Sequence, residues 1–202
     1  MEERESWDAS YQRDSDAPWD IQRPQPAIQR LADAGLLTGA VLDAGCGTGE
    51  HALLAAANGA TAYGVDLSQV AIERARRKAA ERGLDARFDA ADVLTMPLSD
   101  AGFDVVIDSG LFHVFDDDDR TRYVDRLHTA LRPSGHCYLL CFSDRQPGDW
   151  GPRRVSRDEI VSAFADGWSV ERIEPIIFEI NPLPVASEVQ GWFVDARRLV
   201  SS

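Results

Sequence analysis

A chain of 202 residues with 44% hydrophobic and 27% charged residues has a globular composition and fits one compact domain, expected to span 1–202. Its formal net charge of -13 repels phosphate backbones and anionic lipid, so no nucleic acid and no membrane is expected as a partner. No apolar run nears the roughly 20 residues of a bilayer span, and the charged start leads into no secretory signal.

In chain order, the proline-rich stretch 21–26 reads as a connector. Residues 40–44 form a short apolar strand that ends at Gly45, Gly47 and Gly49, and a helix over 50–58 is closed by Gly59. A second strand spans 61–65. Ser68 caps a helix running to residue 82, where Gly83 stops it. Its cluster of Arg74, Arg76, Arg77 and Lys78 is expected to be a solvated face. Strands follow at 86–90 and 103–108. A helix starts within the four aspartates 116–119, which complement its dipole and imply no metal, and ends near residue 131. The fifth strand is 136–142, and Ser156 caps a helix to residue 165. Residues 169–180 and 188–199 read as a closing antiparallel pair. Strands alternating with helices predict a mostly parallel α/β sheet covered by helices. Cys46, Cys137 and Cys141 show neither zinc spacing nor a disulfide framework, which suits reduced thiols and a cytoplasmic location.

The informative segment is Val41-Leu42-Asp43-Ala44-Gly45-Cys46-Gly47-Thr48-Gly49. A strand enters a turn of three glycines and a helix begins at once, so backbone amides can approach a ligand closely. Glu50 stands where a dinucleotide fingerprint wants its third glycine. Asp43 adds negative charge near the turn, which disfavours a pyrophosphate and suits a ligand bearing an ammonium group. Tyr63-Gly64-Val65-Asp66-Leu67-Ser68 places Asp66 at the end of the second strand, where a carboxylate can accept both ribose hydroxyls.

These residues resemble motif I and the acidic ribose position of the class I S-adenosylmethionine-dependent methyltransferases. Ala90-Ala91-Asp92-Val93 is similar to the next motif of that family, whose aspartate contacts the adenine amino group, aided by the following backbone amide. Phe103-Asp104-Val105-Val106-Ile107-Asp108 resembles the fourth-strand motif, and Leu131-Arg132-Pro133-Ser134-Gly135-His136 the turn before the fifth strand. The resemblance implies a Rossmann-like seven-stranded, mostly parallel sheet with helices on both faces and an antiparallel C-terminal strand. It implies S-adenosyl-L-methionine as cofactor and S-adenosyl-L-homocysteine as product. Cofactor contacts then fall on Asp43, Gly45, Cys46, Gly47, Asp66, Leu67, Ala91, Asp92, Val93 and Asp108.

Trp7-Asp8-Ala9-Ser10-Tyr11, Pro18-Trp19-Asp20 and Arg23-Pro24-Gln25-Pro26 resemble the N-terminal cap of the thiopurine, halide and heterocyclic-toxin methyltransferases. That resemblance makes 1–26 a cap over the cofactor, with Tyr11 and Trp19 beside it and Arg23 against its methionyl carboxylate; packing alone accounts equally well for the two aromatics. The implied acceptor is a small aromatic or heterocyclic molecule. His113, or less directly Asp108, is the candidate general base, unless the acceptor arrives ionised. A structural role competes for His113, and His51 either shapes the cofactor site or starts its helix. Phe112, Phe115, Trp150, Trp192 and Phe193 could line the acceptor cavity, with core packing as the alternative. Two other functions stay open: a non-catalytic cofactor-binding module and an NAD(P)-dependent oxidoreductase. Monomer and homodimer are both compatible with the sequence.

Overall fold

The computed structural model describes residues 2–12, 17–97, 102–184 and 186–200. Residues 1 and 13–16 of the expected cap therefore lie outside the described residues. The elements are α1 (Glu2–Gln12), α2 (Pro26–Asp33), β1 (Ala40–Ala44), α3 (Glu50–Ala57), β2 (Thr61–Asp66), α4 (Gln69–Arg82) and β3 (Ala86–Ala90). They continue with β4 (Phe103–Ser109), α5 (Asp117–Ala130), β5 (Leu131–Phe142), α6 (Arg157–Ala163), β6 (Trp168–Leu183) and β7 (Ala186–Arg198).

One seven-stranded sheet has the order β3-β2-β1-β4-β5-β7-β6. β1 pairs in parallel with β2 and β4, and β7 runs antiparallel between β5 and β6. The sheet is Rossmann-like and mostly parallel, with an antiparallel C-terminal pair. Central strands are buried on both faces, so β4 reads as the continuous apolar run Val105, Val106 and Ile107. On one face α2, α3 and α4 pack Ile28, Leu31, Leu53 and Ile72 against Val41 and Phe88. On the other, α5 and α6 pack Tyr123, Leu127 and Ile160 against Leu42, Val106 and Leu139.

Local chemistry sets the helix ends. Ser68 Oγ accepts from the Ala71 N–H at 3.1 Å, and Gly83 ends α4 in a left-handed conformation. Ser156 and Glu159 form a reciprocal capping box on α6, and Asp116 caps α5 through the Asp119 N–H.

Residues 21–25 connect α1 to α2 as expected, and Pro26 opens α2, where its missing N–H and fixed φ cost nothing. Three sequence expectations need correction. β5 begins at Leu131 rather than at residue 136: Leu131 pairs with Phe103, and the register slips before His136 faces Val105. Ser134 takes a positive φ inside that slip, which is why the segment reads as a turn. β6 and β7 are also longer than expected, at Trp168–Leu183 and Ala186–Arg198. The basic cluster on α4 is not simply solvated. Arg74 donates to the Tyr11 carbonyl, Arg76 to the Phe88 carbonyl, and Lys78 to Thr48 and Glu50, which leaves Arg77 with its exposed Glu81 pairing.

Gly49 has φ 88°, and a Cβ there would lie 2.8 to 2.9 Å from Phe88 and Ala75. Gly49→Ala should cost about 2–4 kcal/mol, from the left-handed backbone and the overpacking together. Urea denaturation measures it; a loss below that of an ordinary surface substitution would contradict the close packing.

Candidate active site

β1 runs directly into the turn 45–49, and α3 starts at Glu50. Asp43 is the last residue but one of β1, and its side chain is buried beneath α3. Oδ2 accepts from the Ala52 N–H at 3.0 Å. Oδ1 is buried and, among the described residues, has no hydrogen-bond partner. Burial pushes the Asp43 carboxyl up to about 7, and the neighbouring Asp66 and Asp108 add to the rise. A buried carboxylate oxygen without a donor is costly, and a cation brought to the turn would relieve it.

Asp66 ends β2 and faces the same turn. Its Oδ2 accepts from the Gly47 N–H and its Oδ1 from the Ser68 N–H, both at 2.8 Å. Burial raises its pKa against these bonds. Each oxygen keeps a lone pair, so the carboxylate can still receive two hydroxyls. Leu67 links the bonded pair. Past β3, the Ala91 N–H donates to the Asp66 carbonyl at 2.9 Å. Asp92 holds the next turn through the Leu94 N–H at 2.8 Å, with Val93 buried beside it. Gly45, Gly47, Asp66 and Asp92 thus share the carboxyl ends of β1, β2 and β3. The Cys46 thiol is buried against Gly64, and burial holds its pKa high, so it lines the turn as an inert group.

The end of α1 and residues 17–25 lie over this turn. The Tyr11 hydroxyl lies 2.8 Å from where a Cβ on Gly47 would sit, so only glycine leaves that space. Trp19 donates its indole N–H to the same hydroxyl at 2.9 Å and packs edge-on against Trp7. Asp20 accepts from the Thr48 hydroxyl at 2.8 Å, and the Gln25 N–H donates to His51 Nε2 at 3.1 Å. Burial pushes the His51 imidazole down to about 4, so it stays a neutral acceptor tying the segment to α3. On the far side, Gln25 exchanges two bonds with the Glu179 backbone, and Asn181 bonds the carbonyls of Ala17 and Asp20. Residues 17–25 therefore bridge the glycine turn to the outer part of β6.

The exposed Arg23 guanidinium pairs with Glu179, because β6 extends far enough to put a carboxylate within its reach. Sequence reasoning also missed the role of Glu50. Its buried carboxylate binds Lys78 at 2.7 Å and Arg82 at 2.8 Å, and Lys78 also reaches Thr48 at 2.8 Å. The cations hold its pKa down against burial. The signal was present as Lys78 and Arg82 four residues apart on α4, one helical face.

At the end of β4, Asp108 is fully buried. It accepts from the N–H groups of Leu111 at 2.8 Å and Phe112 at 3.0 Å, and from the Tyr123 hydroxyl at 2.9 Å. Burial outweighs these bonds and lifts its pKa to about 7. His113 is buried, and its Nδ1 accepts from the Phe142 N–H at 2.9 Å. Nε2 therefore carries the proton, and burial first, then Arg120 and Arg154, push its pKa down to about 3. Asp108 thus braces the turn 110–114, and His113 ties it to the end of β5. Of the aromatics considered for the acceptor, Phe112 stacks on Phe164, Phe115 leans on Tyr123, Trp192 donates to the Val155 carbonyl and Phe193 stacks on Tyr138. Phe115 and Trp150 are both half-buried, and Trp150 stands beside Phe142 at the strand ends.

A mostly parallel sheet whose ligand-facing strand ends carry two buried carboxylates and a glycine turn defines a nucleoside-type binding fold. Residues 41–135 match the family described as a methyltransferase domain. The chain is 38% identical over 161 residues to a 2-heptyl-1-hydroxyquinolin-4(1H)-one methyltransferase of Mycobacteroides abscessus, covering 78% of this chain and 71% of that protein. It is 29% identical to a probable thiol methyltransferase of Arabidopsis thaliana, over 76% of this chain and 68% of that one. Among solved structures, one described by the conversion of a disulfide bond into a thioacetal group during echinomycin biosynthesis superimposes with a TM-score of 0.88. It is 39% identical and the match covers 99% of this chain and 94% of that one. The chain belongs to the class I S-adenosylmethionine-dependent methyltransferases, with S-adenosylmethionine as the cofactor.

The high Asp43 pKa fixes a pH dependence of stability in the ligand-free protein. An unfolded aspartate ionises near 3.8 and the folded one near 7, so the folded state holds the extra proton between those values. Stability then falls as pH rises through that window, by something on the order of a few kcal/mol, and levels off above it. Asp43→Asn should reduce this slope, leaving the part that Asp108 contributes in the same window, and be the more stable protein in mildly alkaline buffer. Urea denaturation across that window reads it; an unchanged slope would contradict the unpaired carboxylate.

Proposed function

We propose that this chain moves a methyl group from S-adenosylmethionine to oxygen, nitrogen or sulfur of a small aromatic or heterocyclic molecule by in-line displacement. The observation that carries this is the buried Asp43 oxygen without a partner, beside a turn whose crowding under Tyr11 only glycine tolerates. The cofactor, when bound, supplies a methyl group already activated on a cationic sulfur. The chain has to bind that cation, orient the acceptor and exclude water.

Asp43 takes the cofactor ammonium, and Asp66 the ribose hydroxyls on its remaining lone pairs. Asp92 and the Val93 amide face the adenine, with Gly45, Cys46, Gly47, Leu67 and Ala91 shaping the walls. Tyr11 accepts a hydrogen bond from Trp19 and keeps its own proton, for which no acceptor is found among the described residues. That O–H is available to the methionyl carboxylate, the role expected of Arg23. Residues 1–26 act as a cap on a single domain spanning 1–202.

The small hydroxyquinolinone and thiol acceptors named for the relatives support a small-molecule acceptor here, as does the net charge of -13. Three buried free cysteines suit a reducing compartment, and we assign the chain to the cytoplasm.

Asp66→Ala should weaken S-adenosylhomocysteine binding about tenfold to a hundredfold, the worth of hydrogen bonds to a charged group. Titration calorimetry measures it, and unchanged affinity would remove the ribose role. Labelled cofactor offered with panels of small heterocycles, proteins and RNA tests the acceptor: labelling confined to protein or RNA would refute the small-molecule assignment.

A further inference from the structure

Beyond β3 the chain makes one tight turn, 92–96, and α5 reaches across to hold it. The Thr95 and Met96 N–H groups both donate to the Asp92 carbonyl, at 3.1 and 2.8 Å. The Leu94 N–H donates to Asp92 Oδ1 at 2.8 Å, and the Thr95 hydroxyl to Oδ2 at 3.2 Å. Of the N–H groups at 93–96, that of Val93 alone finds no acceptor among the described residues, although Val93 is buried. A buried amide without an acceptor is costly, and a ligand atom that accepts from it removes the cost.

The carbonyl side of the turn is satisfied by one side chain. Arg126 on α5 donates from Nε to the Val93 carbonyl at 2.6 Å and from Nη2 to the Met96 carbonyl. The planar fork of a guanidinium suits two acceptors at once, and these two carbonyls are its partners among the described residues. Arg126 stands on a fixed element. Tyr123, three residues earlier on the same face, bonds Asp108, and Val124 and Leu127 are packed in the core. The peptide joining Val93 to Leu94 is therefore held from both sides, its carbonyl by Arg126 and its N–H by the Asp92 carboxylate. Rotating that peptide would break both bonds, so the guanidinium fixes where the carboxylate and the Val93 N–H lie.

Resting on the adenine contacts proposed above for Asp92 and Val93, we infer that Arg126 is the positioning residue for base recognition. It acts through the turn, without touching the base itself. By clamping the Val93 and Met96 carbonyls it presents an acceptor, Asp92, and a donor, the Val93 N–H, side by side. Asp92 keeps a lone pair on each oxygen for the adenine amino group, and the N–H meets the ring nitrogen beside that group. Hypoxanthine shows the reverse pattern, a carbonyl and a ring N–H. It would set oxygen against the carboxylate and N–H against N–H. A fixed pair rejects that base, and a pair free to turn rejects it less.

The test is calorimetry on the full chain with two ligands, S-adenosylhomocysteine and S-inosylhomocysteine, the weaker one measured by displacement. The wild type should bind the adenine compound about a hundredfold more tightly. Arg126→Met should weaken that compound about tenfold and leave the hypoxanthine compound within about threefold, so the ratio falls. Arg126→Lys keeps the charge but reaches only one carbonyl, and its ratio should fall by about threefold; it carries the test alone if Arg126→Met does not fold. A ratio unchanged in these variants, whether both ligands weaken together or neither does, would show Arg126 to be only a brace and overturn the inference. Asp92→Asn, whose amide can donate to the hypoxanthine carbonyl, separates the failures. A ratio that collapses there but persists in the arginine variants confines the error to Arg126, whereas one that persists throughout refutes the base contact of Asp92. A wild type that binds neither ligand refutes the methyl-transfer function itself.

Discussion

One carboxylate organises this molecule. Asp43 is carried into the interior by β1, between two layers of helices, with one oxygen bonded to α3 and the other left bare. In water such an oxygen would be hydrated; under α3, burial drives the group toward its neutral form. Stability alone would favour an asparagine or an apolar side chain here. An acid at this place makes physical sense as a counter-charge for a cation that arrives at the glycine turn.

The rest of the site can be traced from that constraint. The turn beside Asp43 is built from glycines, and the Tyr11 hydroxyl comes within 2.8 Å of where a Cβ on Gly47 would stand. Asp66 then fixes the turn from the side, gathering the Gly47 and Ser68 amides onto one carboxylate. Residues 17–25 are anchored at both ends, to Thr48 and His51 on one side and to β6 on the other. Glu50, Lys78 and Arg82 lock α3 to α4 behind the turn. With part of the solvent excluded, every charge–charge interaction inside is strengthened. Such coupling between residues 17–25, the glycine turn and β6 suits an enzyme that must hold a reactive sulfonium away from water.

Much of this was legible in the residues, and the boundary of legibility is physical. Strands β1 and β4 announce themselves as short apolar runs because both faces are covered, and α4 is bracketed by Ser68 and Gly83, whose local bonds and backbone preference do not depend on the rest of the fold. The Asp43–glycine–Asp66 constellation was readable for the same reason: its chemistry is encoded within one strand–turn–helix–strand unit. What stayed hidden depends on partners distant in sequence. Arg23 meets Glu179, Glu50 meets Lys78 and Arg82, and Gln25 meets the backbone of β6. His113 was visible as a candidate base, yet the Phe142 amide that occupies its Nδ1 comes from the neighbouring strand. No periodicity in a single segment reports such pairings. The early start of β5 was masked because Pro133, Ser134 and Gly135 carry turn chemistry inside a strand.

The most direct measurement is carbon-13 NMR of the Asp43 carboxyl, titrated with and without S-adenosylhomocysteine, the asparagine variant supplying the assignment. A carboxyl that titrates near neutrality in the free protein and becomes ionised once the ligand ammonium binds is the predicted result. A carboxyl already ionised well below that range, and indifferent to the ligand, would contradict the account.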